Sequence, residues 1–386
     1  MADKVGKRVL IMFGGRSCEH DISIITGVLA LNCTDRQRYI PVPVYVTEDG
    51  WFTGNDLFDL DFFKKRTTEG LDRVIPVFGS QTIGILKGSK LRLTEKPYCA
   101  LNCCHGLNGE DGSLAGVMQL LGVPFASPAM AASSACMDKS ITKVLLDGLG
   151  IKNLPYKAFN AGAFFRNREM VIGLIERKIG YPCIVKPARL GSSIGIKRAE
   201  TKEELIAAIE HALRFDGRII VEKALDGFLE INCAAYRSKG GVRVSECERP
   251  VPEGKLLTFD DKYKSRVKHA KNRIFPADVP REISDRIKDI TSTVYRKLYM
   301  TGIVRIDYLV KDGEVYLNEV NTVPGSLAAY LFCDRTGEFP SLITELIEEG
   351  VAARREFDNG TFTVHTDVLT CTGSKHRGSK RSTILN

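Results

Sequence analysis

The sequence predicts an α/β protein with an N-terminal doubly wound, parallel-sheet domain followed by two α+β units. Three observations support this fold class. The chain opens with a short apolar run that ends in a glycine turn and continues as a helical pattern. Its middle has two short apolar runs around a glycine- and serine-rich loop, and its last third has a long amphipathic helix before a hairpin pattern. Alternating strand and helix patterns are typical of layered α/β folds.

The first domain is predicted to cover residues 1–126. Residues 7–13 form an apolar run, as expected for a buried parallel strand, and a helical stripe follows with Ile22, Ile25, Val28 and Leu29. Residues 40–100 alternate apolar runs with turn clusters. Further on, residues 99–104 resemble a strand, residues 116–121 a helix, and residues 123–125 an extended segment.

The second unit is predicted to cover residues 127–218. Its pattern indicates one helix over residues 133–149, then strands at residues 183–185 and 194–196 on either side of the glycine-serine loop. Thr201 and Glu204 have the spacing of a capping box, so we expect the next helix to begin there.

The third unit is predicted to cover residues 219–355, beginning with a strand at 219–221. Residues 252–273 are polar and suggest a mobile loop, and a long amphipathic helix follows. A hairpin is expected over residues 303–310 and 315–320, with a three-residue loop at 311–313 that pairs Arg305 with Glu319. Residues 356–386 lack periodicity and are expected to form a disordered tail.

Composition narrows the classes of function. The 386 residues carry a net charge of +8, and no aromatic-interleaved basic stripe indicates nucleic-acid binding. Neither an apolar run of roughly 18 residues nor a signal sequence is apparent, so we expect neither a membrane span nor export. The 11 cysteines form no paired CxxC motifs and indicate free thiols in a reducing cytoplasm.

The loop at residues 191–195 can be interpreted in three ways. Its sequence, GSSIG, fits the GxSxG pattern of serine hydrolases, with Ser193 as the nucleophile. That pattern requires a helix directly after the serine, whereas here a strand is expected to resume. The loop could instead cover phosphate oxygens, with Lys186 at its start, or it could be a solvated hairpin. No GxxxxGK[ST] or GxGxxG motif occurs.

The predicted hairpin of the third unit carries polar groups at alternate positions. Arg305 and Asp307 lie on one face of the first strand, and Glu319 and Asn321 on one face of the second. Carboxylate and amide oxygens are ligands that Mg²⁺ prefers, usually together with nucleotide phosphates. A surface Arg–Asp pair is the alternative interpretation.

Seven segments together resemble the D-alanine–D-alanine ligase family. They are GGRSCEHDIS (14–23), HGLNGEDG (105–112), MDK (137–139), KPARLGSS (186–193), KY (262–263), RID (305–307) and NEVNTVPG (318–325). They follow the family's order from residue 8 to about residue 327. The resemblance implies an ATP-grasp fold with ATP clamped between the second and third units.

The resemblance also implies which residues bind the nucleotide and metal. Lys139 and Lys186 would meet ATP phosphates, Glu222 and Leu225 the adenine, and Glu230 the ribose. Ser193 and Lys262 would complete the ATP site. Mg²⁺, or Mn²⁺, would be held by Asp307, Glu319 and Asn321.

The resemblance assigns the remaining site residues to the amino-acid substrates. Glu19, Ser192 and Tyr263 would form a hydrogen-bonded trio that closes the lid, with Glu19 meeting the first amino group. Arg305 and Gly325 would stabilise the tetrahedral intermediate, and the other substrate contacts would be His105, Ser326 and Leu327. Without the resemblance, Glu19 could simply stabilise the start of the first helix.

One segment departs from the family pattern. After Pro-Gly the family usually continues as Met-Thr-x-His-Ser-Leu, whose Ser-Leu end receives the second substrate's carboxylate. This chain has Ser-Leu-Ala-Ala-Tyr-Leu at residues 326–331. Either Ser326 and Leu327 take that role from an earlier position, or the carboxylate is held differently.

The expected activity is ATP-dependent joining of two D-alanines into a peptidoglycan precursor, releasing ADP and phosphate, with a homodimer suggested by the family. The nearest alternative is the same chemistry with D-serine, D-lactate or another amino acid as second substrate. Two distant alternatives are an α/β hydrolase and a catalytically idle ATP-binding regulatory module.

Overall fold

The computed structural model describes residues 6–251, 273–333, 335–364, 366 and 368. Three sheets organise them, together with a two-stranded ribbon. Within these residues, no helix has both the length and the apolar character needed to cross a membrane.

The first sheet has eight strands in the order β6-β5-β4-β3-β2-β1-β7-β8. Their bounds are β1 Lys7–Gly14, β2 Tyr39–Val46, β3 Trp51–Thr53, β4 Asp72–Val77, β5 Thr82–Lys87, β6 Lys90–Leu93, β7 Cys99–Asn102 and β8 Phe125–Ala126. Only β2, β1, β7 and β8 run parallel. Strands β3 to β6 are antiparallel, so the prediction of a parallel sheet holds for half of it. Connections of a few residues, as between β5 and β6, can join only antiparallel neighbours.

Helices cover both faces of the parallel half. Helix α1, His20–Cys33, and the C-terminal helix α9, Phe339–Asp358, share a core with alternate residues of β1, including Phe13. Helix α2, Ser113–Leu121, packs on the opposite face. Gly27 allows α1 to approach β1 closely, because a Cβ at this position would lie 2.2 Å from Phe13 Cγ. Helix α9 extends past residue 356, where we expected the tail to begin.

The helix predicted over residues 133–149 is two helices, α3 Met130–Met137 and α4 Lys139–Gly148. Asp138 separates them with an extended ψ of 103°, and its side chain accepts the backbone N–H groups of Ser140 and Ile141. Aspartate is favoured at such N-cap positions, and the continuous apolar pattern concealed this break.

The second sheet is antiparallel, with strand order β11-β10-β12-β9. Its elements are β9 Tyr156–Asn160, α5 Ala161–Arg166, α6 Arg168–Lys178, β10 Cys183–Pro187, β11 Lys197–Ala199, α7 Lys202–Ala212 and β12 Arg218–Lys223. The strand expected at 194–196 starts at Lys197, since Gly195 adopts a φ of +74° in a turn. Strand β12, expected to open the third unit, pairs between β10 and β9 and so belongs here. Thr201 caps α7 as predicted.

The third sheet has the order β14-β13-β17-β18 and is packed by helix α8, Arg281–Lys297. Its strands are β13 Leu229–Ser238, β14 Gly241–Val244, β17 Ile303–Lys311 and β18 Glu314–Asn321. The ribbon of β15, Arg249–Pro250, and β16, Arg273–Ile274, brackets residues 252–272, which lie outside the described part of the chain.

The predicted three-residue hairpin loop is wrong. Lys311 pairs with Glu314 across a two-residue turn, and Asp312 and Gly313 have φ values of 50° and 79°, as type I′ turns require. Unbroken pairing would then have placed Glu319 on the wrong face. Instead, a bulge at Asn318 shifts the register, so that Asp307 lies opposite Glu319 and Arg305 opposite Asn321. The four polar groups therefore share one face.

Candidate active site

Lysines connect the second sheet to the hairpin of the third. Lys186 Nζ, on β10, lies 2.6 Å from Glu222 Oε2 and 3.5 Å from Asn318 Oδ1 on β18. Lys139 Nζ, at the start of α4, lies 2.7 Å from Leu190 O and 3.5 Å from Glu319 Oε2. The predicted phosphate-binding lysines therefore lie where the glycine-serine loop, β12 and β18 come together.

Glu222 is enclosed by two ammonium groups. Its carboxylate is 1% exposed and lies 3.1 Å from Lys143 Nζ, in addition to its contact with Lys186. Burial alone would raise the pKa of Glu222, but the two lysines outweigh it and lower the pKa to about 2. Burial lowers the pKa of Lys143, with Glu222 only partly opposing it. Lys143 Nζ and Glu222 Oε1 are ion-paired with each other but make no hydrogen bond to another group, which leaves polar capacity for a ligand.

The candidate metal ligands meet across the bulged hairpin. Asp307 is 2% exposed and accepts a hydrogen bond of 3.0 Å from Asn321 Nδ2. Exchanging the oxygen and nitrogen of that amide would turn Asn321 Oδ1 towards the same point. No group of three or more His, Cys, Asp or Glu side chains suited to a metal occurs among the described residues. Two carboxylates and one amide fit a Mg²⁺ ion that takes its remaining oxygens from phosphates and water.

Arg305 forms a two-pronged pair with Asp307. Its Nε lies 2.7 Å from Asp307 Oδ1 and its Nη2 2.9 Å from Oδ2. Burial would lower the pKa of Arg305, but Asp307 raises it well above its usual value, so the guanidinium stays charged. The near-complete burial of Asp307 excludes the surface ion pair considered above.

Glu19 connects the first domain to the glycine-serine loop. It is the N-cap residue of α1, yet its side chain makes no capping hydrogen bond. Its carboxylate accepts a hydrogen bond from the Ser192 hydroxyl. Gly191 leaves space for this contact, since a Cβ there would lie 3.1 Å from Glu19 Oε1.

His105 is buried in a chain of hydrogen bonds. Its Nδ1 lies 2.5 Å from Val323 O and its Nε2 2.8 Å from Thr26 Oγ1, and Thr26 Oγ1 accepts the Ser326 N–H at 3.1 Å. Hydrogen on Nδ1 would be donated to Val323 O, and Thr26 Oγ1 links the other ring nitrogen to the Ser326 backbone. Burial raises the pKa of Glu110, and His105, whose Nδ1 lies 3.6 Å from Glu110 Oε1, opposes this. His105 thus holds α1 against the segment before Ser326.

The remaining predicted residues are placed as follows. Leu225 lies in the connection from β12 to β13, and Glu230 lies in β13, so the predicted adenine and ribose positions follow Glu222 along one path. Ser193 has a φ of 60° in the turn after Ser192. Lys262 and Tyr263 lie outside the described residues.

The segment after Ser193 leads into β11 rather than a helix, which excludes a nucleophile elbow and the hydrolase interpretation.

Sequence analysis missed two residues of this site. Lys143 lies one helical turn after Lys139, so an i, i+4 count would have placed both on one face of α4. Tyr330 places its hydroxyl 3.4 Å from Arg305 Nη1, and no local pattern signals that contact.

The second and third sheets meet at a cleft that carries lysines on one side and carboxylate and amide groups on the other, with the glycine-serine loop beside it. This arrangement defines an ATP-grasp ligase. The chain matches the family model "D-ala D-ala ligase N-terminus" over residues 8–128 and "D-ala D-ala ligase C-terminus" over residues 145–348. This chain belongs to the D-alanine–D-alanine ligase family.

Relatives and solved structures agree with this membership. A D-alanine–D-alanine ligase of Thermosipho melanesiensis is 34% identical over 93% of this chain and 97% of its own. The crystal structure of the Helicobacter pylori enzyme of that name has a TM-score of 0.72 at 27% identity, covering 89% of this chain and 98% of that one. The VanG D-Ala:D-Ser ligase of Enterococcus faecalis has a TM-score of 0.73 at 25% identity, covering 90% and 99%. The predicted fold class and ligase activity are confirmed.

Proposed function

We propose that this chain joins two molecules of D-alanine at the expense of ATP, through an acyl phosphate. The observation that carries the proposal is the continuous polar path from Glu222 through Lys186 to Asn318, and from Glu319 through Lys139 to the glycine-serine loop. It offers cations for phosphates beside oxygen ligands for a divalent ion. Phosphoryl transfer depends mainly on such positioning and charge neutralisation.

The nucleotide would lie along this path. The buried ion pair of Lys143 and Glu222, whose facing atoms make no further hydrogen bond, suits the adenine end, next to Leu225. Lys139 and Lys186 would take phosphate oxygens, with Ser193 and Lys262 beside them. Mg²⁺, held by Asp307, Glu319 and Asn321, would neutralise phosphate charge when bound.

The first D-alanine would enter between Glu19 and Arg305. Glu19, fixed by Ser192, would receive its ammonium group, and one carboxylate oxygen would attack the γ-phosphorus as ADP leaves. The second D-alanine would lose a proton from its amine and attack the acyl carbon, and phosphate would leave. Arg305 would stabilise the oxyanion formed in that step, a kind of contact that contributes a few kcal/mol in other enzymes.

An acyl phosphate must be protected from water while it waits for the amine. The Glu19–Ser192 hydrogen bond already draws the glycine-serine loop onto the first domain. Tyr263, outside the described residues, would complete this closure.

We place the enzyme in the cytoplasm. The ten described cysteines are all free thiols, and seven of them are buried. Free thiols on this scale suit a reducing compartment, where ATP is also available.

The test is phosphate release from ATP with a panel of D- and L-amino acids, with product masses measured. We expect release with D-alanine alone and the mass of dialanine. ATP-dependent release only in the presence of another second substrate, such as D-serine or the hydroxy acid D-lactate, would overturn the assignment of D-alanine to both sites.

A further inference from the structure

The chain makes an unusual turn between Gly325 and Tyr330. Ser326, Leu327 and Ala328 have φ values of 52°, 52° and 46°, all in the left-handed region. That conformation costs roughly 1–2 kcal/mol for each residue other than glycine. Burial of Leu327 and Ala328, which are 1% and 0% exposed, offsets this strain and fixes the direction in which the chain leaves the turn.

The backbone donors at the start of this turn are already used. The Ser326 N–H is donated to Thr26 Oγ1 at 3.1 Å, and the Leu327 N–H to Pro324 O at 2.9 Å. The Leu327 side chain lies in the core shared by α1 and α9. Ser326 and Leu327, named above as substrate contacts, are therefore poorly placed to receive a carboxylate through their backbone.

The turn instead brings Tyr330 to the reacting end of the cleft. Arg305 Nη1 donates to the Tyr330 hydroxyl at 3.4 Å, while Nε and Nη2 of the same guanidinium hold Asp307. Because Arg305 is the donor, the phenolic hydrogen is left to point elsewhere. Among the described residues, no hydrogen bond uses it.

The surroundings keep Tyr330 a hydrogen-bond donor. The guanidinium of Arg273 lies 5.1 Å from the ring centroid, and Arg273 Nη1 donates to Tyr330 O at 3.3 Å. Burial raises the pKa of Tyr330 to about 12, with Arg305 opposing, so the phenol stays protonated at neutral pH. Glu248, 3.5 Å from Arg273, and Asp307, paired with Arg305, balance the two guanidinium charges, so an anion here would be bound through the phenolic hydrogen rather than by net charge.

The turn begins beside open space, because a Cβ at Gly325 would meet nothing within 4 Å. The second amino acid must bring its amine to the acyl carbon near Arg305, while its own carboxylate takes no part in the chemistry. That carboxylate needs donors that neither the nucleotide nor the metal ligands use.

We propose that the Tyr330 hydroxyl, backed by Arg305 Nη1, binds the carboxylate of the second amino acid and makes the enzyme select a nucleophile with a free carboxylate. The proposal rests on the proposed function, since it requires a second amino-acid substrate. Tyr330 thereby determines which second substrate the enzyme accepts. Arg273, which lies over the Tyr330 ring, belongs to the same subsite.

The test compares two nucleophiles in one reaction. ATP is supplied with equal amounts of D-alanine and D-alaninamide, and the dipeptide and dipeptide amide are counted by mass. The amide has no carboxylate to be phosphorylated, so it can react only as the nucleophile. Tyr330→Phe keeps the ring over Arg273 and removes only the hydroxyl. We expect its preference for D-alanine over the amide to fall about tenfold, as for a lost hydrogen bond to a charged group.

A second measurement separates binding from general damage. In Tyr330→Phe the KM for the second D-alanine should rise about tenfold, while the KM for ATP stays within twofold of wild type. Tyr299→Phe is the matched control, because Tyr299 is 86% exposed, and it should change neither quantity.

The outcomes are decisive because the product ratio does not depend on how much of the variant folds. An unchanged ratio in Tyr330→Phe overturns the proposal. So does a variant that forms neither product, because an amide nucleophile would not need this hydroxyl. Failure of the proposed function would look different, since wild type would then form no dialanine at all.

Discussion

Replacing Glu222 with glutamine should destabilise the protein far more than replacing either lysine beside it. The substitution keeps the size of the side chain and removes its charge. Lys143, which is 1% exposed, would be left as a buried ammonium without a counter-ion. Removing one partner of a buried ion pair is generally much more costly than removing both.

The size of the effect follows from the pKa of Glu222. It is lowered from the usual 4.5 to about 2, and one pKa unit corresponds to about 1.4 kcal/mol. The folded state therefore favours the ionised carboxylate by roughly 3 kcal/mol. Since the pKa is lower in the folded protein, this stabilisation is fully present above about pH 4.5 and declines as the pH falls towards 2.

The assay is urea unfolding at pH 7.5, followed by circular dichroism, on four proteins: wild type, Glu222→Gln, Lys143→Met and the double variant. Glu222→Gln should lose about 3 kcal/mol and Lys143→Met less, because Lys186 still pairs with Glu222. The double variant should regain part of the loss, since the fully buried ammonium of Lys143 is gone and that of Lys186 is partly exposed, at 12%. A double variant less stable than Glu222→Gln, or equal losses in the two single variants, would refute this reasoning.

Three further predictions concern the metal site and the lid. Glu319→Gln should lose most turnover at low magnesium with an unchanged circular dichroism spectrum, and near-wild-type turnover would exclude Glu319 as a ligand. Inserting one alanine between Asn318 and Glu319 should place the alanine opposite Asp307 and turn Glu319 and Asn321 to the opposite face, lowering turnover more than a hundredfold; retained turnover would mean that the register does not build the site. At pH 7.5, with equal D-alanine and D-lactate, wild type should make the dipeptide. If Tyr263 belongs to the proposed trio with Glu19 and Ser192, Tyr263→Phe removes one hydrogen bond, roughly 0.5–1.5 kcal/mol, and should gain ester. An unchanged product ratio by mass would show that Tyr263 does not set the choice.

The sequence predicted the features that depend on local pattern or on motif order. Strand β1, helix α1 and the cap at Thr201 follow from apolar periodicity and capping chemistry. The mutual placement of Lys139, Lys186 and Glu222 came from the family resemblance, since no periodicity relates residues on separate elements.

The sequence did not predict features decided by pairing between distant segments. The assignment of β12 to the second sheet depends on hydrogen bonds with β10 and β9, which its own apolar run cannot reveal. The hairpin shows the same limit: counting residues required a three-residue loop to put Asp307 and Glu319 on one face, whereas the chain uses a two-residue turn and a bulge. The left-handed turn before Tyr330 likewise depends on burial in a core made by α1 and α9.

The central claim is that the first D-alanine is activated as an acyl phosphate in the cleft between the second and third sheets. The most direct measurement uses D-alanine labelled with ¹⁸O in both carboxylate oxygens, with ATP and magnesium, and determines the mass of the released phosphate. Formation of an acyl phosphate requires that each turnover transfer one ¹⁸O atom from the carboxylate to inorganic phosphate. Unlabelled phosphate, or label found in AMP, would contradict it.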